Sequence, residues 1–154
     1  MNIFVLDVDP QRAAEAHVDK HVVKMPLESA QMLCAARRLV GSKSEPRYKL
    51  THKGHPCTLW VCDSLQNYRW LSELGLAICR EYTHRYDKIH ACEAVIGECI
   101  ADPPDFDRQG MTDFAQAMPD EYKRESAVEA YREYYRCNKL HLHSWTLRDT
   151  PEWL

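Results

Sequence analysis

A compact all-α single domain is the fold that this sequence predicts, and three observations predict it. Glycine is scarce, at 5 of 154 residues. Clusters of β-branched residues are few. Apolar side chains recur at helical spacing over long stretches. A hydrophobic fraction of 45% beside 28% charged residues is the balance of a globular chain and excludes collagen or wholesale disorder. A chain of this length buries roughly two-thirds of its unfolded surface, so it needs neither a disulfide nor a structural metal to hold a core.

The elements follow in order. Residues 3–6 read as a short extended N-terminal arm. Asp9 and Pro10 read as an N-cap with proline at the first helical position, opening a helix to about Leu39 that Gly41 closes. Pro26 falls inside it and predicts a kink or a split there. Gly41 to Cys57 is a polar loop carrying Lys43, Arg47, Lys49 and Lys53 against Glu45. A second long helix is expected from Thr58 to Tyr86, with Val61, Leu65, Tyr68, Leu71, Ile78 and Tyr82 on its core face. A shorter helix covers Lys88 to Ile100, and a proline-punctuated loop covers Ala101 to Pro119. A last helix spans Asp120 to Asn138, and an aromatic tail with Trp145 and Trp153 follows. No repeat or linker interrupts residues 1–154.

The net charge of -3 means that an anionic partner must be drawn by a local basic patch, which the loop supplies. Seven cysteines without C-x-x-C spacing point to reduced thiols in an intracellular, cytoplasmic protein. The first residues lack the basic stretch and cleavage site of a signal peptide, and no apolar run approaches the roughly 18 residues of a membrane span.

His17, Lys20, His21, Lys24, Glu28 and Gln31 recur at steps of three and four, which predicts one polar face on the first helix. Lys20 and Lys24 repel each other one turn apart, and a phosphate facing them would relieve that cost. Lys49, His52, Lys53 and His55 add cations and imidazoles in the loop. His17 and His21 have the spacing of helical zinc ligands, but Val18 stands where H-E-x-x-H requires glutamate and no carboxylate joins the histidine pairs. No metal or cofactor is therefore expected. Asn67 and Arg85 on the second helix, and Tyr131 and Lys139 on the last, interleave with other aromatic and basic residues. They suit nucleic acid, with rings for bases and cations for phosphates, or else a core with cations at its rim.

The stretch Ala13 to Pro26, AAEAHVDKHVVKMP, resembles the opening helix of the phage pyrimidine-dimer DNA glycosylase/AP-lyases, with histidine at His17 and proline at Pro26. Gly54-His55 through Arg85 resembles that family's glycine-histidine turn and long helix, including a Glu-x-x-x-Arg ending at Glu81 and Arg85. The Tyr131 to Tyr135 run is similar to its aromatic tail. The resemblance implies an all-α domain that lays its first helix and basic loops on DNA, flips a nucleotide out and attacks the sugar through an N-terminal amine assisted by a glutamate. Here Asn2, behind Met1, holds the place of the family's N-terminal threonine. Lys24 holds that of its glutamate, and Val23 and Leu27 those of two arginines.

The expected function is thus a nucleobase-processing enzyme on DNA, of the N-glycosylase/AP-lyase kind. Lys24 is its amine nucleophile or phosphate binder, Glu28 its acid/base, and His17 a proton-transfer or phosphate-orienting group. Lys20, His21, Lys49, His52, Lys53, His55, Asn67, Arg85, Tyr131 and Lys139 are the expected nucleic-acid contacts. A phage-type enzyme that hypermodifies a DNA base by displacing pyrophosphate, and a non-catalytic DNA-binding module, are the alternatives.

Overall fold

The computed structural model describes residues 1–154 and contains six α-helices and no strand. They are α1 Pro10–Ala16, α2 Asp19–Val40, α3 Pro56–Asp63, α4 Leu65–Tyr86, α5 Cys92–Ala101 and α6 Ala127–Asn138. Short 3-10 turns lie at Asp120–Tyr122 and Leu140–Leu142. α2 packs along α4, α3 and α5 flank both, and α1 lies on α4. No helix is long and apolar enough to cross a membrane.

The arm at residues 3–6 is buried through its whole length. With no sheet to satisfy its backbone, side chains take that part: Arg132 Nε donates to the Leu6 carbonyl and, just beyond, Trp70 Nε1 to that of Val8, both at 2.8 Å. Phe4 stacks on the His21 ring, centroids 4.3 Å apart, and so carries the arm against α2.

Asp9 caps α1 as expected, its carboxylate accepting from Arg12 N–H. The first long helix does not break at Pro26, which sits inside an uninterrupted α2; it breaks at His17–Val18, where both residues turn extended. The break has a tertiary cause. Arg85 reaches over from α4 and donates to the carbonyls of Glu15 and His17, satisfying the end of α1 with a cation. The same guanidinium pairs with Asp19 in the first turn of α2 and with Glu81.

The second long helix is likewise two. Ser64 is extended and its hydroxyl accepts from Asn67 N–H, so it ends α3 and starts α4. α5 starts four residues later than expected, and the last helix is reduced to α6 after a separate turn. At Gly75 α4 packs closely on its neighbours: a Cβ there would lie 3.0 Å from Ile96 and 3.3 Å from the Ser29 Cβ.

Candidate active site

The expected polar face of the first helix is divided by the fold. The exposed stripe of α2 is Lys20, Val23, Lys24 and Leu27, whereas His17, His21 and Glu28 turn inward. Because the chain breaks at residue 17, the spacing of His17 to Lys20 no longer places them on one helix.

Glu28 is the organising group. Its Oε2 accepts the backbone N–H of Asn2 at 2.9 Å. Its Oε1 faces two primary amines, the α-amine of Met1 at 3.6 Å and Lys24 Nζ at 3.2 Å. Asn2 fixes the first of these. Its Nδ2 donates to the Ala117 carbonyl at 2.9 Å, and its Oδ1 accepts from Ile3 N–H at 2.8 Å. The Tyr131 hydroxyl lies 3.0 Å from that Oδ1 and accepts the Ala117 N–H at 3.1 Å. Burial holds the Tyr131 phenol well above its ordinary range and the neighbouring Cys57 thiol up at about 11, so both stay protonated, the phenol's one proton facing both the Ala115 carbonyl at 2.8 Å and the Asn2 Oδ1.

Lys24 is a different kind of amine. Its side chain is 66% exposed, so the partial burial expected of a lysine nucleophile is not found. Its one ionic partner is Glu28. His55 caps α3 by accepting the Cys57 N–H at its Nδ1. Burial and then the positive α-amine push its pKa down, with Glu28 opposing. Two residues on, the Cys57 Sγ lies 3.6 Å from the Asn2 Oδ1, which seats the start of α3 against the N-terminal residues.

Several expected contacts lie inside instead. His17 is fully buried, its Nδ1–H donating to the Ala13 carbonyl at 2.6 Å and its Nε2 unpartnered; burial lowers it to about 4. His21, lowered to about 3 by burial and then by His17, Lys139 and Lys24, shares a 2.5 Å hydrogen bond with the Tyr135 hydroxyl. Asn67 donates to the Trp60 carbonyl and Thr112. Arg85 and Tyr131 are spent on the contacts above. None of these five offers a surface to a phosphate, because the helix packing that buries them also supplies their partners, the His17 Nε2 excepted.

The basic contacts divide the other way. Lys20, Lys49, His52 and Lys53 are exposed, and none of the three lysines enters an ion pair. Lys139 lies over the Tyr134 ring. Arg47, by contrast, is paired with Glu98 and is lost to the patch. Asn2 is the residue that sequence reading misses; the available signal is its place at the family's N-terminal threonine, together with a glutamate one turn beyond Lys24.

No group of three or more His, Cys, Asp or Glu side chains is placed to hold a metal. The arrangement instead concentrates amines, one carboxylate and one imidazole at the edge of an exposed lysine face. No curated protein and no solved structure matches the chain. The family described as pyrimidine dimer DNA glycosylase matches residues 1–94, the segment that carries Met1, Asn2, Lys24, Glu28, His55 and Arg85. That span is more than half of the chain and contains the whole amine–carboxylate cluster, and the protein belongs to the pyrimidine dimer DNA glycosylase family.

Proposed function

We propose that the protein is an imine-forming DNA glycosylase/AP lyase in which Glu28 serves a primary amine. The observation that carries this reading is the placement of one buried carboxylate between two amines, at 3.6 and 3.2 Å. The amine lone pair attacks C1′ of the flipped nucleotide, and the glycosidic bond breaks with its electron pair leaving on the base, which takes a proton from solvent. Glu28 accepts the proton that the nitrogen loses and returns it to O4′ as the sugar C1′–O4′ bond opens, its electron pair leaving on O4′ while the nitrogen lone pair forms the C1′=N bond of the imine.

Of the two amines, the α-amine of Met1 is the better fixed. Its residue is held through Asn2 by Glu28, Ala117 and Tyr131, whereas Lys24 must give up rotamer freedom to reach a sugar. Lys24 then neutralises Glu28 and meets a phosphate. The unpaired Lys20, Lys49 and Lys53 hold the strand, and the free thiols suit a reducing, intracellular setting.

The test is borohydride trapping on an oligonucleotide with an abasic site, followed by peptide mapping of the adduct. The expected result is an adduct on the Met1 peptide that survives Lys24→Ala and forms about 10²- to 10⁴-fold more slowly in Glu28→Gln. An adduct on Lys24 would move the nucleophile to the side chain. Retention of DNA with no adduct would sink the imine mechanism, and a product heavier than the substrate would identify a base-modifying transferase.

A further inference from the structure

The exposed stripe of α2 is unusual in what stands beside its lysines. Val23 and Leu27, one turn apart, are 49% and 41% exposed immediately next to Lys24 and the buried Glu28. Neither belongs to the core, which Val22 and Met25 supply from this stretch of the helix. A third apolar side chain joins them. The turn between α4 and α5 is pinned to this point of α2 by a 2.9 Å hydrogen bond between His90 Nε2 and the Val23 carbonyl. It presents Ile89, 80% exposed, one residue from that anchor. His90 is itself packed against Tyr82, centroids 4.9 Å apart, so the turn is held in place.

Cations bracket the three apolar side chains. Lys20 lies one turn before Val23, Lys24 between Val23 and Leu27, and Lys88 next to Ile89; Lys20 and Lys88 enter no ion pair. Asp87 lies on the same turn, and the Glu28 carboxylate is already matched by Lys24. Apolar surface ringed by unpaired ammonium groups fits the chemistry of an opened nucleic-acid strand, whose base faces are apolar and whose edge is phosphate.

We infer that Val23, Leu27 and Ile89 form a wedge that packs against the bases flanking the processed nucleotide. The inference rests on the DNA-glycosylase reading, and it adds a demand of that reaction. Attack at C1′ beside Glu28 takes the nucleotide out of the stack, which leaves a gap whose neighbouring bases have lost their stacking partner. Aliphatic side chains inserted at such a step keep it open and the duplex kinked. The wedge therefore sets how readily a step opens, and so which sequence contexts are processed, while the lysines set how tightly any DNA is held.

The experiment uses a duplex with 2-aminopurine beside a reduced abasic site, the full chain, and the variants Leu27→Ser, Ile89→Ser, Leu27→Met and Lys20→Ala. Wild-type protein is expected to raise the 2-aminopurine fluorescence on binding. Leu27→Ser and Ile89→Ser each remove most of that rise and weaken binding about fivefold with the salt slope unchanged, and Leu27→Met restores both. Lys20→Ala keeps the fluorescence rise and lowers the salt slope by about 1.

Serine variants that bind and unstack like wild type would overturn the wedge. So would a wild-type dimer in sedimentation that the serine variants convert to monomer, since the face would then join two copies of the chain. Absence of any DNA retention by wild-type protein at low salt would instead overturn the glycosylase reading on which the wedge stands. Thermal midpoints within about 2 °C of wild type confirm that these surface variants fold.

Discussion

At the scale of single residues, two histidines that look like surface ligands in the sequence are core groups kept neutral by burial. An unfolded histidine takes up its proton near pH 6.5, whereas His17 and His21 resist until about 4 and about 3. Above pH 6.5 both are neutral whether the chain is folded or not, and their contribution to stability is fully present. As the pH falls below 6.5 the unfolded chain binds more protons than the folded one, so stability is lost toward pH 4 and then 3. Between pH 7 and 5 the loss should be roughly 1 to 2 kcal/mol for each histidine, read as a falling urea midpoint. The lowered carboxylates of Asp19 and Glu81 titrate below that window and do not confuse it. Replacing His21 by Phe keeps the stack on Phe4 and should flatten the pH dependence; an unchanged slope would show that the ring is protonated in the folded chain after all. Residue type was legible in the sequence here and burial was not, because one polar face and one core-lining row of a helix share the same spacing.

At the scale of elements, the most consequential feature is the break between α1 and α2. Nothing in residues 10–25 demands it: no glycine or proline stands at His17 or Val18. It is set by Arg85, which caps the end of α1 and binds Asp19 at the start of α2, while Asp19 also accepts from Ser144 and Thr146 in the tail. Glu81 closes the web by pairing with both Arg85 and Arg148. Replacing Arg85 by Met leaves two carboxylates without their buried cation and should cost about 3 to 5 kcal/mol in urea unfolding. Adding Glu81→Gln to that variant should recover part of the loss, as a double-mutant cycle would show. Full additivity of the two substitutions would mean that the web does not act as a unit. The break matters to the site: an unbroken helix would point His17, Lys20 and His21 along one face, whereas the broken one sends the histidines inward to hold Phe4 and leaves Lys20 and Lys24 outside.

At the scale of the whole molecule, charge is sorted rather than accumulated. The chain carries a net -3, yet Lys20, Lys49, Lys53 and Lys88 are exposed and unpaired, while Arg37, Arg38, Arg47, Arg85 and Arg148 are spent on internal or surface carboxylates. These five guanidinium groups fasten the fold and these four ammonium groups face solvent, in keeping with the fixed fork of one and the mobile point charge of the other. Replacing Lys49 and Lys53 together by Ala should weaken DNA retention uniformly across sequences and lower the slope of log affinity against log salt by about 2. An unchanged slope would remove the loop from the interface.

The sequence by itself determined the all-α class, the cap at Asp9, the loop read from Ala101 to Pro119, which the fold begins one residue later at Asp102, the basic loop and the family, because these depend on local propensity and on short motifs that keep their meaning wherever the chain goes. It also singled out Glu28 and Lys24. What only the tertiary structure decided is the division of each long helix in two, the burial of His17, His21, Asn67, Arg85 and Tyr131, and the meeting of Met1 and Asn2 with Glu28. Apart from the split at Ser64, a local cap on the Asn67 N–H, each of those depends on a partner tens of residues away. A periodicity records which residues share a face but not which face is covered, and only the packing of α2 on α4 and of the arm beneath α2 chose between them.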